Sequence, residues 1–262
     1  MAHIHVLNEA IREGMEGACS DMFSFCDNPA ERINAEYLFT VATARAISAR
    51  NTVPADPYEI RIEQSTKSFA SDCLHPVIFG SPTQRGSTIF RAKHPLPKII
   101  RPGRIDIAVY HKPAQSTYFG SPPLCAIELK GFNPPKRLVI EDLKRNLEFH
   151  RVQGKTGASV LDLSFFAALH SRSAKRASGN ESAVKEMYRR WLPQLGAVPD
   201  LNTHVLTFTV SIDTFGRVRE EVNEMVVDTD TVHHFIGAIV IFCRPSGGSY
   251  TEDQLQEVLD GV

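Results

Sequence analysis

The sequence predicts a mixed α/β protein in which a central mixed β-sheet is flanked by helices and continues into a C-terminal β/α extension. Apolar-rich strand patterns recur along the chain, amphipathic helical patterns separate them, and no internal repeat or low-complexity run interrupts their order. A chain of 262 residues can bury a large core. We therefore expect one domain over residues 1–262, with a core at about 28–170, and with 171–262 extending the same sheet or forming a small subdomain.

The first helix is predicted from Asn28 to about Ser48. Asn28 is a favourable N-cap residue, and Pro29 suits the first helical position. Five side chains recur at helical spacing and are expected to face the core: Ile33, Tyr37, Val41, Ala44 and Ile47. At about 100° per residue, Glu36 lies at the border of this stripe, so it can reach inward.

The clearest strand patterns lie in the middle of the chain. Tyr58–Glu63 alternates as a strand, and residues 79–103, rich in Gly, Pro and basic residues, are expected to form a loop with one short strand. Arg104–Tyr110 and Leu124–Lys130 are two apolar-rich segments joined by a connection containing Pro, Gly and Ser. They predict a buried antiparallel pair with a long connection.

The second half of the chain continues with alternating helices and strands. The expected elements are a helix over Leu138–His150, a strand over Leu163–His170, a helix over Glu181–Leu195, strands over Thr203–Ile212 and Phe235–Cys243, and a last helix from Thr251. The Thr-Glu-Asp-Gln sequence at Thr251 has the pattern of a capping box.

The composition excludes several classes of protein. With 42% hydrophobic and 23% charged residues, the chain is not disordered as a whole. The longest apolar run, Phe235–Cys243, is about half of what a membrane-spanning helix needs, and the N-terminus does not resemble a signal peptide. The five cysteines are sparse and form no CxxC pair, so they favour a reducing cytoplasm and argue against a zinc site.

The net charge of −1 argues at first against a nucleic-acid partner, but it hides an uneven distribution. Residues 73–105 carry six basic and no acidic residues, and 131–200 carry 12 basic against seven acidic ones. Both ends are acidic, and the segment 106–130 is neutral. The chain therefore predicts a polarised surface, unless the acidic ends fold back over the basic middle.

The candidate chemical site combines Asp106 with Glu128 and Lys130. Glu128 and Lys130 are two residues apart in a predicted strand, so their side chains share one face. Asp106 points away from the apolar face of its own strand, and cross-strand neighbours lie about 5 Å apart. If the two strands pair, two carboxylates and a lysine share one patch.

This patch has a structural and a chemical interpretation. A half-exposed hairpin with a charged face for solubility would carry the same residue types. Two close carboxylates, however, repel each other unless a cation lies between them, and carboxylate oxygens with water completing the shell suit Mg²⁺. A second acidic residue two before a lysine, Asp142 before Lys144, lies in a predicted helix, where the two side chains point about 200° apart.

A strand with Asp106, a hairpin, a strand containing Glu128-Leu-Lys130 and a following helix resemble the PD-(D/E)XK, or restriction-endonuclease-like, nucleases. The order αβββαβ from Asn28 to His170 is similar to the core of that family. In place of the motif's proline, Ile105 precedes Asp106. The resemblance covers about 140 residues and leaves the C-terminal third unexplained.

The resemblance implies roles for individual residues. Asp106 and Glu128 would bind Mg²⁺ or Mn²⁺, with the backbone carbonyl of Leu129 as a further ligand, and Lys130 would orient or activate the attacking water. Glu36 matches a helical glutamate found in part of the family, and Glu63 competes for that role. The implied activity is metal-dependent hydrolysis of phosphodiester bonds.

Basic residues beside this site are candidates for holding a nucleic-acid backbone, with DNA preferred over RNA. They are Arg91, Lys93, Lys98, Arg101 and Arg104 before the first strand of the pair, and Lys144 and Arg145 in the helix after the second. Restriction, repair and defence enzymes use such chemistry, and a homodimer would suit cleavage of two strands. The alternative is a non-catalytic module of the same fold that binds nucleic acid or a protein.

Overall fold

The computed structural model describes residues 2–25, 35–51, 57–74, 77–79, 90–92, 97–112, 122–154, 157–174, 177–196, 200–213, 217–221, 224–228, 232–245 and 251–260. The helices are α1 (Ala2–Phe25), α2 (Ala35–Ala49), α3 (Thr66–Asp72), α4 (Lys136–Arg151), α5 (Asn180–Trp191), followed by a 3-10 turn (Leu192–Leu195), and α6 (Glu252–Asp260).

The strands of the main sheet are β1 (Tyr58–Ser65), β4 (Arg104–His111), β5 (Pro123–Phe132), β8 (Leu163–Ala174), β9 (Asn202–Asp213) and β12 (Val232–Cys243). Three small hairpins supply the other strands: β2 (Val77–Phe79) with β3 (Phe90–Ala92), β6 (Gln153–Gly154) with β7 (Gly157–Ala158), and β10 (Arg217–Glu221) with β11 (Glu224–Asp228).

The main sheet is mixed, as the sequence predicts. Its six strands lie in the order β1-β4-β5-β8-β12-β9. Only β5 and β8 run parallel, and α4 connects them; all other neighbours are antiparallel. β9 and β12, the two strands from the C-terminal part of the chain that follow α5 and pair with each other, belong to this same sheet.

Helices cover both faces of the sheet and bury its alternating side chains. On β8, Phe165 and Ala167 pack in one core with α1 and α2, whereas Phe166 and Ala168 pack in a second core with α4 and α5. A third cluster forms around Phe69 of α3 and the α4 side chain of Phe149. This period-two division places polar residues of β5 on the side covered by α4.

Helix α1 is an element that the sequence analysis did not predict. Its buried residues recur every three or four positions: Ile4, Leu7, Ile11, Met15, Ala18 and Met22. That spacing is typical of an amphipathic helix and was present in the sequence. Gly14 lets α1 approach α2 closely, since a Cβ there would lie 2.5 Å from the Cα of Thr43.

The helix predicted from Asn28 is confirmed as α2 only in its second half. Asn28, Pro29 and Ile33 lie outside the described residues. The expected stripe is partly wrong, because Ala44 and Ile47 are buried but Tyr37 and Val41 are 72% and 40% exposed. Phe39 and Thr43 are buried instead, so α2 is rotated relative to the prediction because it packs against α1 as well as the sheet.

The strand predictions agree closely with the structure. β4 and β5 form the expected antiparallel pair, and six of the eight residues of β4 are buried. Strict alternation along β4 predicts that Ile105 shares a face with Ile107 and Val109, but Ile105 packs in the cluster of Phe69 and Tyr110 instead. The capping box is confirmed, since the Gln254 N–H donates to Thr251 Oγ1 at 3.2 Å and the Thr251 N–H donates to Gln254 Oε1 at 3.0 Å.

None of the described helices combines the length and the hydrophobicity needed to cross a bilayer.

Candidate functional site

Strand pairing brings Asp106 and Glu128 to one place on the sheet. The register pairs Ile107 with Ile127, and one further step places Asp106 opposite Glu128. Asp106 Oδ2 accepts the backbone N–H of Leu129 at 2.6 Å, which ties its carboxylate to β5. On the face where Asp106 and Glu128 were predicted to lie together, the side chain of Asp106 therefore contacts β5 directly.

Helix α4 covers this end of the strand pair and supplies a cation to Glu128. Glu128 is only 1% exposed, and Arg145 Nη1 donates to its Oε1 at 2.9 Å. The same guanidinium nitrogen lies 3.3 Å from Asp142 Oδ1, one helical turn earlier. Arg145, predicted to contact a phosphate backbone, is thus bound to two carboxylates of the protein, and Arg145 Nε has no hydrogen-bond partner among the described residues.

Lys130 connects the two helical layers. Its Nζ donates to Glu36 Oε1 of α2 at 2.9 Å and lies 3.3 Å from Asp142 Oδ2 of α4. The predicted inward reach of Glu36 is therefore present, and the side chain of Lys130 is held from both sides. Glu63 lies apart from this contact, because it is exposed and its Oε2 is 3.8 Å from Arg104.

We call the six residues Glu36, Asp106, Glu128, Lys130, Asp142 and Arg145 the carboxylate cluster. Four carboxylates face two cations, so full ionisation leaves a formal excess of two negative charges. Three of the carboxylates, those of Asp106, Glu128 and Asp142, are at least 92% buried. Such an excess in a buried place is costly unless protons or another cation balance it.

The pKa values of the cluster reflect this excess. Burial raises the pKa of Asp106 to about 6, against the Leu129 N–H and Lys130, which lower it. Burial, and then the charge of Asp106, raises the pKa of Glu128 well above its usual value. Burial works to lower the pKa of Lys130, but Asp142 and Glu36 outweigh it and raise that pKa, so Lys130 stays a cation.

A metal ion is one of the charges that could balance the carboxylate cluster. The described residues contain no group of three or more His, Cys, Asp or Glu side chains arranged to hold a metal ion. Mg²⁺, however, usually keeps several waters and takes one or two carboxylates. Asp106 and Glu128 offer such a pair, and a divalent ion would balance the formal excess of two negative charges.

Sequence reasoning missed Asp142 as a member of the site. It correctly separated Asp142 from Lys144, which lines a cavity on another face of α4. The sequence analysis did not use the polar residues Asp142, Arg145 and Asn146. They lie among the buried apolar residues of α4 and interrupt its apolar stripe. Polar residues inside a buried stripe are a usable signal for a site.

Among the described residues, the predicted nucleic-acid-binding side chains do not all lie in one group. Lys93 and the side chain of Arg91 lie outside the described residues. The side chain of Arg104 is 70% exposed, and Arg101 lies 4.0 Å from Glu148. Lys98, Arg101 and Lys144 line the cavity beside α4, so part of the basic segment does lie against the helix that covers the cluster.

Comparisons with known proteins add no further assignment to this geometry. No protein-family model, curated protein or solved structure matches the chain.

Proposed function

We propose that the protein is a metal-dependent nuclease that hydrolyses phosphodiester bonds, in DNA in preference to RNA. The observation that carries the proposal is the meeting of Asp106, Glu128 and Lys130 on paired strands, with Lys130 held by Glu36 at 2.9 Å. Two buried carboxylates with raised pKa values beside a positioned lysine are typical of a reactive site.

The order of elements also supports the proposal. Helix α2, the strands β1, β4 and β5, the helix α4 and the strand β8 follow one another along the chain. Helix α3 and the β2–β3 hairpin are inserted after β1, and the β6–β7 hairpin is inserted after α4. This order is similar to the αβββαβ core of PD-(D/E)XK nucleases. We propose that α2, α4 and the strands β1, β4, β5 and β8 form a restriction-endonuclease-like core, with β9, β12, α5 and α6 as the extension.

Each residue of the site would have its own role in the hydrolysis. Asp106 and Glu128 would hold Mg²⁺ or Mn²⁺, and the Leu129 carbonyl is a further ligand by resemblance. The bound ion supplies charge neutralisation and a more acidic water. Lys130 places a compact positive charge where a water and a phosphate oxygen would meet. Glu36 and Asp142 position that ammonium group, and the Leu129 N–H fixes one carboxylate oxygen of Asp106.

A second candidate is a non-catalytic module of the same fold that binds nucleic acid or a protein partner. The observation that favours it is Glu128, which is 99% buried and already paired with Arg145. In that case the arginine would replace the metal ion as the partner of the carboxylates. The two candidates differ in one measurable property: the nuclease cleaves nucleic acid and the non-catalytic module does not.

The test is cleavage of linear, circular and single-stranded DNA, and of RNA, in Mg²⁺, Mn²⁺ or EDTA. We expect cleavage with either metal and none in EDTA, and a rate at least about 100-fold lower for Asp106→Ala and Lys130→Ala, since each removes a group acting on the reacting atoms. Asp253→Asn and Arg190→Ala alter exposed charges on other helices and serve as controls. Cleavage that survives both site substitutions contradicts the assigned site.

The wild-type protein also decides between the two candidates. Binding of DNA without cleavage under any metal condition supports the non-catalytic module. Arg145→Gln sharpens this result, because it removes the cation that competes with a metal ion for Glu128. Metal-dependent cleavage that first appears in this variant would show that Arg145 holds the site closed.

We further propose that the protein acts in the cytoplasm and forms a homodimer. The four described cysteines, Cys19, Cys73, Cys125 and Cys243, are free thiols, which agrees with a reducing compartment. Sedimentation equilibrium tests the homodimer, for which we expect twice the chain mass of 29.1 kDa.

A further inference from the structure

A basic cavity lies on the face of α4 next to the carboxylate cluster. Its volume is about 520 Å³, and its walls come from the 97–101 segment, α4, the residues after α4 and Leu195. Four cationic side chains line it: Lys98, Arg101, Lys144 and Arg151. Small-molecule sites typically have volumes of about 300–1,000 Å³, so the cavity has the size of a ligand site.

Among the described residues, one acidic side chain, that of Glu148, lines the cavity, and it is already engaged. Glu148 Oε1 accepts the Ile100 N–H, and Glu148 Oε2 accepts the Arg101 N–H at 3.3 Å and lies 4.0 Å from the Arg101 guanidinium. Glu148 therefore clamps the 97–101 segment onto α4 and builds the cavity wall. Lys98, Arg101 and Lys144, set against this one carboxylate, leave a formal excess of two positive charges among these described residues, in a chain whose net charge is −1.

The cavity also offers apolar surface beside its cations. Pro97, Leu147, Val152 and Leu195 line it, and Ile100 does so although it is 75% exposed. An inorganic anion would use the cations only. A ligand that carries both a phosphate and a flat apolar body would use the cations and this apolar rim together.

We propose that this cavity binds a phosphorylated nucleotide, either as the phosphate-bearing end of a nucleic-acid strand or as a free nucleotide. The phosphate would lie among Lys98, Arg101 and Lys144, and the base against Ile100 and Pro97. The proposal goes beyond the nuclease function and stands without it, because the cavity residues take no part in the chemistry at Asp106. Cavity and carboxylate cluster nonetheless share α4, where Lys144 and Arg145 are adjacent in sequence.

The test is equilibrium binding in EDTA, which stops metal-dependent cleavage and separates this proposal from the nuclease proposal. The probes are a fluorescent DNA 10-mer with a 5′-phosphate, the same strand with a 3′-phosphate, the same strand with hydroxyl ends, and deoxyadenosine monophosphate as competitor. We expect a phosphorylated end to bind at least about 10-fold more tightly than hydroxyl ends, which is about 1.4 kcal/mol. Competition by the mononucleotide identifies a free nucleotide as the ligand, and its absence identifies a strand end.

A matched pair of double variants locates the site. Lys98→Gln with Lys144→Gln removes two cavity cations, whereas Lys67→Gln with Lys136→Gln removes the same charge from exposed positions outside the cavity. We expect the first pair to lose at least about 10-fold in affinity and the second less than about twofold at physiological salt. Equal losses in both pairs, or equal binding of all strand ends with no mononucleotide binding, would overturn the proposal.

Discussion

Two groups of buried polar residues on α4 differ in how their polar atoms are satisfied. At the end of α4, the His150 Nδ1–H donates to the Leu161 carbonyl at 3.1 Å, so His150 Nε2 accepts the Ser164 hydroxyl at 2.9 Å. Arg244 donates to three carbonyl oxygens nearby, those of His150, Ser159 and Leu161, at 2.9 to 3.1 Å. In this His150–Arg244 network one cation meets neutral acceptors.

The carboxylate cluster is the opposite case, because four acids meet two cations in a buried place. Burial lowers the pKa of His150 to about 3, so the imidazole is neutral and structural. Burial raises the pKa of Asp106 to about 6, so its carboxylate is poised close to physiological pH. The comparison teaches that burial of polar groups does not by itself mark a site, whereas an unbalanced buried charge does.

The largest expected effect on stability comes from breaking the His150–Arg244 network. Arg244→Ala removes the guanidinium that donates to the carbonyl oxygens of His150 and Ser159 and leaves Leu161 with His150 as its donor, so we expect a loss of about 3 kcal/mol in the free energy of unfolding. Urea denaturation at pH 7.5 measures it, with Arg190→Ala as the exposed control. A loss below about 1 kcal/mol would show that the network does not hold the fold together.

The second prediction is that a substitution in the carboxylate cluster increases the stability of the fold. Asp106→Asn keeps an oxygen for the Leu129 N–H and removes a buried charge, so in EDTA at pH 7.5 we expect a gain of about 2 kcal/mol. Because the pKa of Asp106 is raised to about 6 from 3.8, the fold favours the protonated acid. The stabilisation that protonated Asp106 gives the fold is fully present below pH 3.8 and is lost as the pH rises through 6. The gain in stability from Asp106→Asn should therefore vanish near pH 4.

Urea denaturation of wild type and Asp106→Asn between pH 4 and 8 checks this dependence. The His150 pKa shift has the reverse sign, since its stabilisation is present above pH 6.5 and is lost as pH falls towards 3. Both proteins contain His150, so its contribution cancels in the difference. A gain that does not change with pH would show that the fold does not raise the pKa of Asp106.

A third prediction concerns Mg²⁺ and distinguishes the two groups directly. At a concentration ten times its dissociation constant, a bound ion stabilises the fold by about 1.4 kcal/mol. We expect an increase in Tm with Mg²⁺ for the wild type and none for Asp106→Asn with Glu128→Gln, with NaCl at equal ionic strength as control. An equal increase in both proteins would place the ion elsewhere.

The smallest expected effect belongs to a partly exposed group of charges. Glu252 of α6 pairs with Lys185 at 2.8 Å and Arg189 at 2.7 Å of α5. Because solvent screens such pairs, Glu252→Gln should cost only about 0.5 kcal/mol. Denaturation at low and high salt checks this value. If Glu252→Gln lowered the free energy of unfolding nearly as much as Arg244→Ala, these ion pairs would contribute as much to stability as the buried His150–Arg244 network.

The ion pairs of Glu252 also show where part of the acidic charge of the C-terminal segment lies in the fold. Part of the acidic C-terminal segment folds onto a basic helix, because Glu252 meets Lys185 and Arg189. The basic 97–101 segment has no such cover among the described residues beyond Glu148. Among the described residues, the cations lining the cavity beside α4 therefore outnumber its carboxylate, whereas Lys185 and Arg189 of α5 are paired within the protein.

The sequence by itself determined the strand pair and the common face of Asp106, Glu128 and Lys130. Period-two alternation is a local property, and it is readable wherever apolar and polar residues alternate. The same kind of local pattern at helical spacing identified most of α4, α5 and α6. It would also have identified α1, whose apolar spacing was overlooked.

Only the tertiary structure decided which other residues join them. Asp142 and Arg145 enter the cluster because α4 lies across the sheet, and Glu36 enters because α2 packs at the end of β5. The rotation of α2 that exposes Tyr37 depends on α1 in the same way. Contacts between distant segments depend on how whole elements pack, and the spacing of residues within one segment carries no information about that packing.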